Sequence, residues 1–295
     1  MAIPKIQSYS LPEISEYPNN KVNWSLQPAN AALLIHDMQE YFVGFYGNES
    51  PLMNAVIQNI SRLKDYAKAN GIPVFYTAQP AEQDPIDRAL LNDMWGPGLT
   101  RFPAQQPVVN QLQPDPDNIV LTKWRYSAFH RSDLEAQLKA MGRTQLIICG
   151  VYAHIGVLIS ATDAFMRDIQ PFLIGDAIAD FSKAEHLMAM SYIAGRAGVV
   201  TDTLTLISAS QRPPSLQSYA SFRTHILSLL DEADSDFDDD ESLLDYGLDS
   251  VQIMTLLNQW QKAGIELSFV ELARAPTLNG WWQLILRHQQ ESEAA

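Results

Sequence analysis

The chain has 295 residues, 46% hydrophobic and 18% charged, with 11 Phe, 11 Tyr and 6 Trp, which excludes a disordered or collagen-like chain. Its net charge of -14 argues against nucleic acid or an anionic membrane as the main partner. The charge is uneven: residues 1–212 carry 20 acidic against 16 basic side chains and residues 213–295 carry 14 against 4, so two differently charged domains are expected.

Short apolar runs at 31–35, 72–77, 118–122, 146–151, 171–174 and 198–201 lack polar alternation and predict buried strands. Between them, residues 51–70 place Val56, Ile60, Leu63 and Ala67 at helical spacing and stop before Gly71. Residues 132–141 stop before Gly142 in the same way, and 157–168 and 184–197 predict further helices. Strands alternating with helices predict a mainly parallel six-stranded sheet covered on both faces, a three-layer α/β/α domain. Cys149, the only cysteine, lies inside the fourth run, so it is read as a core residue; no intramolecular disulfide or four-cysteine zinc site can form. No secretory pattern opens the chain and no uncharged apolar run reaches about 18 residues, so a cytoplasmic protein without membrane insertion is expected.

The alternation ends at Ile207. Residues 209–218 are polar, contain Pro213-Pro214 and read as a linker between a first domain at 1–208 and a second at 219–295. Beyond it, 219–230, 250–262 and 278–288 show helical spacing only, predicting a small helical bundle. Asp234, Asp236, Asp238 and Asp240 alternate like the start of a calcium loop, but Asp239 replaces the required glycine and Asp245 the bidentate glutamate, so a solvated loop is expected.

After this run comes Gly247-Leu248-Asp249-Ser250, then apolar residues at helical spacing from Val251 to Trp260. Gly247 allows a tight turn, Asp249 puts a carboxylate at the helix start and Ser250 presents a hydroxyl there, where an attached phosphodiester would meet backbone N–H groups. Helix capping alone is the alternative reading. Gly-Leu-Asp-Ser before a helix, in an acidic unit behind a proline-containing linker, resembles the acyl-, peptidyl- and aryl-carrier protein family. The resemblance implies an all-α four-helix domain in which Ser250, beside Asp249, carries 4'-phosphopantetheine attached by a phosphopantetheinyl transferase.

In the first domain, the strand ends deliver polar residues to one sheet edge, where open α/β folds bind ligands. They are His36-Asp37-Met38-Gln39, Gln79, Lys123-Trp124-Arg125-Tyr126 and Gly150-Val151-Tyr152-Ala153-His154-Ile155-Gly156. Asp37 and Lys123 are the candidates for chemistry, whereas His36 and His154 are read as orienting groups. Asp after strand one and Lys after strand three resemble the isochorismatase-like hydrolase superfamily. Its thiol members place a cysteine where this chain has Gly156, so covalent thiol chemistry is not expected; an Asp-x-His metal pattern after strand two is also missing, and no metal is expected.

These segments and 79–98 look like true isochorismatases. Joined to the carrier unit, the chain resembles the bifunctional isochorismatase and aryl carrier proteins of catechol siderophore synthesis, of the enterobactin and vibriobactin type. The resemblance implies hydrolysis of the vinyl ether of isochorismate to 2,3-dihydro-2,3-dihydroxybenzoate and pyruvate. It also implies that 2,3-dihydroxybenzoate is carried as a phosphopantetheine thioester. The implied partners are a 2,3-dihydroxybenzoate-adenylating enzyme, the transferase and a condensation-domain synthetase, with a homodimer or higher assembly formed through the first domain.

A vinyl ether is inert to base and needs a proton on its methylene carbon, giving an oxocarbenium that water captures as a hemiketal. Asp37 is assigned as the general acid, which requires a pKa raised by burial and by the two carboxylates of the substrate, against the lowering that a cation such as Lys123 beside it would bring. Lys123 would pair with a substrate anion or orient Asp37. The resemblance places Gln79, Arg88 and Tyr152 around the substrate, with Arg88 as a carboxylate clamp. Gly156 is expected to leave room and backbone N–H groups, and Trp95 and Phe42 to form apolar walls. The competing readings are a carrier and scaffold with an inactive first domain, and an amide hydrolase, which Gly156 disfavours.

Overall fold

The computed structural model describes residues 3–211, 216, 218–230, 237–262 and 265–294. The chain forms two compact units, Met1–Ile207 and Ser208–Ala295. Unit one holds a six-stranded sheet: β1 (Ala31–His36), β2 (Val74–Ala78), β3 (Ile119–Thr122), β4 (Gln145–Val151), β5 (Gln170–Ala179) and β6 (Val199–Thr201). The order is β3-β2-β1-β4-β5-β6 and every pairing is parallel. With the order reversing between β1 and β4, those two strands are the topological switch point, where ligands gather in such sheets.

The alternating sides of β1 explain the layers. Leu33 and Ile35 enter one buried cluster with Val56, Ile60 and Leu63 of the helix Pro51–Ala69. Ala32 and Leu34 enter the other with Leu134, Leu138, Ala161 and Ile193 from the helices Leu134–Ala140, Leu158–Phe165 and Lys183–Arg196. Both faces are covered, so the strands read as continuous apolar runs. Ser50 caps Pro51–Ala69 by accepting from Met53 N–H, and Pro51 opens that helix with no N–H to satisfy.

Three differences from the sequence reading affect the site or the boundaries. β5 continues past Ile174 to Ala179 through a register shift, so Asp180 and Phe181 follow it at the carboxyl edge. A π-turn at Ala153–Val157 precedes the helix Leu158–Phe165. The helix Thr203–Gln211 runs into the segment read as linker, and residues 212–215 and 217 lie outside the described residues.

Among the described residues, unit two has four helices: Tyr219–Leu227, Ser250–Lys262, Phe269–Arg274 and Leu278–Ala294. Phe222, Ile253, Leu256, Trp260, Leu272, Trp281 and Ile285 form its core, with the Trp260 and Trp281 ring centroids 6.0 Å apart. Burying large rings suits a unit with little interior volume. The first part of the acidic run, 231–236, lies outside the described residues, so the structure offers no calcium loop to assess there. Among the described residues, no helix is long and apolar enough to cross a membrane.

Candidate active site and carrier serine

A cavity opens at the carboxyl edge beside β1 and β4. Asp37, Phe42, Gln79, Arg88, Trp95, Lys123, Tyr152 and Gly156 all line it, so the catalytic and substrate-binding candidates of the first domain meet at one place, while His36 and His154 lie outside its lining. Asp37 follows β1 with φ +50°, a left-handed backbone that Asp tolerates better than most residues. Its N–H donates to Thr77 Oγ1 at 3.0 Å, while the Thr77 hydroxyl donates to Asp37 Oδ1 at 2.6 Å. Lys123 Nζ donates to Asp37 Oδ2 at 3.0 Å, with Lys123 3% and Asp37 7% exposed.

This geometry sets the protonation of Asp37 in the free site. Burial pushes the Asp37 carboxyl up, but Lys123, His36 and the Thr77 hydrogen bond outweigh it and hold the pKa below the ordinary carboxylate value. The free site therefore contains an aspartate anion, and the raised pKa expected of a general acid is not a property of the empty cavity.

A correction concerns Gly156. A Cβ built there would lie 2.2 Å from His36 Cε1 and 3.0 Å from both ring nitrogens. The space left by the missing side chain is filled by the imidazole. Cys149 is fully buried, and burial raises its thiol pKa far above the ordinary value, so it supplies no nucleophile.

The other cavity residues divide between recognition and support. Arg88 is buried; its Nε donates to the Gly96 carbonyl and its Nη1 to Gln83 Oε1, both at 2.8 Å, while Nη2 has no protein partner among the described residues. The Gln79 backbone is clamped by the Gln39 carboxamide, which accepts from Gln79 N–H at 2.8 Å and donates to its carbonyl at 2.9 Å. Tyr152 donates to the Phe42 carbonyl at 2.8 Å, so its ring serves as wall, edge-on to Phe42 and Phe181. Trp95 Nε1 donates to the Tyr126 hydroxyl at 2.9 Å.

Thr77 and Phe181 were not named from sequence, and Arg125 and Tyr126 were named only as residues at the end of strand three; Arg125, Tyr126 and Phe181 line the cavity. Phe181 reaches the cavity because β5 continues past Ile174 to Ala179. His154 is an orienting group: its N–H and Nδ1 both meet the fully buried Asp180 carboxylate at 2.6 Å. Glu185 brings a third potential metal ligand within 4.8 Å. Both Asp180 oxygens already accept from His154, and Oδ1 also from Phe181 N–H, so the cluster works as an internal hydrogen-bonded latch.

In unit two, Gly247 turns with φ +92° and Ser250 begins the helix Ser250–Lys262. Asp249 Oδ1 accepts from Gln252 N–H at 2.7 Å and Gln252 Oε1 accepts from Asp249 N–H at 2.8 Å, a reciprocal cap. Ser250 is exposed and its hydroxyl has no hydrogen bond among the described residues. Val251, 70% exposed, and Met254, 49% exposed, flank it. An accessible, uncommitted hydroxyl on a rigid helix start is the group that phosphopantetheine attachment requires, so the residues fit that cofactor.

An isochorismatase domain matches residues 31–205, and a phosphopantetheine attachment site matches residues 220–285. The chain is 59% identical to enterobactin synthase component B of Escherichia coli (strain K12), over 97% of this chain and 99% of that protein. It is 46% identical to an isochorismatase of Bacillus subtilis (strain 168), over 99% and 97%. The fold of unit one is shared with a cysteine hydrolase from Pseudomonas syringae pv. phaseolicola, at TM-score 0.58 and 24% identity over 64% of this chain and 95% of that one. The chain belongs to the isochorismatase family, in the form that bears a phosphopantetheine attachment site behind the isochorismatase domain.

Proposed function

We propose that unit one hydrolyses the vinyl ether of isochorismate to 2,3-dihydro-2,3-dihydroxybenzoate and pyruvate. Unit two carries 2,3-dihydroxybenzoate for siderophore assembly. The observation that carries this reading is a buried carboxylate–ammonium pair on a cavity wall where no thiol is within reach. Such a site suits proton delivery to carbon, and does not suit acyl-enzyme chemistry.

Asp37 acts as the general acid. Isochorismate brings two carboxylates into a cavity that already holds the Asp37 anion. Repulsion raises the Asp37 pKa, and competition for Lys123 raises it further. The acid form is thus produced by binding, with the proton taken from solvent. Asp37 then protonates the enolpyruvyl methylene carbon, water adds to the oxocarbenium, and the hemiketal collapses to pyruvate and the ring alcohol. Lys123 offsets the charge left on Asp37 after transfer. Arg88 Nη2 and the Gln79 carboxamide hold substrate oxygens, and Phe42, Trp95 and Tyr152 wall the ring.

Ser250 is the attachment point in unit two, and Asp249 fixes the helix start on which it sits. The attached arm supplies a thiol for holding the aryl acid as a thioester. The partners that follow are a phosphopantetheinyl transferase, an aryl-adenylating enzyme and a condensation enzyme. Assembly of unit one into a homodimer belongs to the same proposal, read by light scattering.

The decisive test is pyruvate release from isochorismate by the purified chain, with Asp37→Asn as the control. Hydrolysis in the wild type and its loss in the variant are expected; absence from the wild type overturns the reading. For unit two, intact mass after incubation with coenzyme A and a phosphopantetheinyl transferase should rise by one arm, and Ser250→Ala should abolish the gain. A gain that persists in Ser250→Ala refutes the assignment.

A further inference from the structure

His36 ends β1 and is fully buried, and it does not line the cavity. Both ring nitrogens are engaged, Nδ1 at 3.1 Å from the Val151 carbonyl oxygen and Nε2 at 3.1 Å from Ser160 Oγ. A carbonyl oxygen only accepts, which assigns the proton to Nδ1 and leaves Nε2 to accept from the Ser160 hydroxyl. Ser160 Oγ in turn accepts from Ala128 N–H at 2.9 Å. The ring is therefore locked by β4, by the helix Leu158–Phe165 and by the loop after β3. Burial pushes its pKa down to about 4, which keeps it neutral.

The same Nδ1 lies 3.5 Å from Asp37 Oδ2, the oxygen that also takes Lys123. Thr77 holds the other oxygen. The carboxylate is thus hydrogen-bonded from two strands, by the hydroxyl on β2 and the ammonium after β3, while the imidazole at the end of its own β1 stands against the oxygen that Lys123 takes, its N–H held by the Val151 carbonyl. Only the imidazole depends on a steric condition elsewhere. Its Cε1 occupies the point 2.2 Å from where a Cβ of residue 156 would stand.

We infer that His36 is a positioning residue for Asp37, seated in a slot that exists only because residue 156 is glycine. The inference rests on the proposed hydrolysis for its kinetic readout and stands on geometry alone for its structural one. Removing the imidazole takes away the ring that stands against Oδ2 and the Val151 bond that holds it there, which lets the carboxylate swing and misdirects the proton that Asp37 must deliver to carbon. The cost falls on the chemical step, because His36 does not touch the cavity.

The test uses the full chain and four variants. His36→Leu keeps similar bulk without the N–H and should lower kcat more than about tenfold with KM changed by less than about threefold. His36→Asn returns an N–H near the Nδ1 position and should recover kcat to within about fivefold of wild type. Gly156→Ala should lower kcat as His36→Leu does, because the new Cβ displaces the ring. In the His36→Asn background the shorter side chain leaves room, so adding Gly156→Ala should cost nothing further. Equal kcat losses in His36→Leu and His36→Asn, or a Gly156→Ala loss unchanged between the two backgrounds, would overturn the inference. If thermal melts show His36→Leu unfolded, the Asn and double-variant comparison decides the matter.

A readout independent of turnover is the Asp37 carboxyl titration followed by carbon NMR. The charged or titratable groups around it are Lys123, His36, Tyr152 and Arg88. Loss of the His36 N–H should move that titration upward in His36→Leu and leave it near wild type in His36→Asn; no difference between the variants overturns the positioning role. A wild type that releases no pyruvate would refute the reaction and leave this titration test intact.

Discussion

Lys123 and Asp37 form a buried ion pair, Nζ to Oδ2 at 3.0 Å, in the wall of a cavity proposed to receive a dianion. A carboxylate held below its ordinary pKa cannot donate a proton until its surroundings change. Binding of a non-hydrolysable dianionic analogue near neutral pH should therefore be accompanied by proton uptake, up to about one proton per site. Calorimetry in buffers of different ionisation enthalpy measures it. Asp37→Asn should abolish the uptake; the same uptake in that variant would show that another group titrates.

Removing either partner strands the other. Lys123→Met leaves a buried carboxylate and Asp37→Asn leaves a buried ammonium, so each should destabilise unit one by about 3–5 kcal/mol. The double variant Asp37→Asn/Lys123→Met should regain much of that stability in thermal melts and still release no pyruvate. A double variant as unstable as the sum of the singles would mean the pair is not energetically coupled.

Acid should destabilise unit one before its carboxylates titrate. Burial lowers the pKa of both His36 and His186 to about 4, and His186 is held by the Tyr9 hydroxyl and the Gly175 carbonyl. An unfolded imidazole titrates near 6.5, so as pH falls below that value the unfolded chain binds protons that the native state refuses. The stabilisation is complete above the unfolded pKa and is lost on the way down to the folded one, at up to about 3 kcal/mol per histidine. Asp37, also lowered, adds a loss at more acid pH. His154 is raised against the opposing effect of its burial, chiefly by its hydrogen bond to Asp180, and works in the opposite sense: its contribution is present below the unfolded pKa and fades as pH rises. Urea midpoints measured between pH 7 and 5 should fall, and His186→Asn should flatten the slope.

Thiol reagents should leave the hydrolysis untouched. Cys149 is fully buried in β4 with its Sγ 3.6 Å from the Leu34 carbonyl. Native protein should resist alkylation, and Cys149→Ala should cost about 1 kcal/mol or less while preserving kcat. Activity loss on labelling of the folded chain would contradict the proposed chemistry.

Arg88 should prove irreplaceable by lysine. Its fork is aligned by Gly96 and Gln83, with Nη2 left without a protein partner among the described residues, and lysine can offer only a point charge. Arg88→Lys should raise KM about tenfold, with kcat less affected. An unchanged KM would place the substrate carboxylates elsewhere, on Lys123 or Arg125, the other cations lining the cavity.

The sheet was legible because a parallel sheet covered on both faces hides the side chains of its inner strands, which read as apolar runs with little polar alternation. The second half of β5 was not, since Gly175 and Asp176 look like a break. In the structure Asp176 accepts from Thr203 N–H and its hydroxyl, and the pairing resumes past the shift at Ile178 and Ala179. The helix Phe269–Arg274 was too short for periodicity to reveal, although Ser268 and Glu271 form a capping box around its start. In the cavity, residue types at strand ends identified Asp37, Lys123 and Gly156 as neighbours. That His36 would fill the space at Gly156 depends on the distance between two strand ends, and no one-dimensional pattern carries it.

The left-handed backbone at Asp37 restricts which acid this position can hold. Aspartate tolerates φ +50° because its short side chain can bond to nearby groups, as it does here with Thr77. Glutamate would enter that conformation at greater strain and carry its carboxyl beyond the reach of Thr77. Two residues of identical charge and nearly identical acidity are therefore not interchangeable at this point in the chain. The turn at the end of β1 selects the length of the acid as firmly as the cavity selects its chemistry.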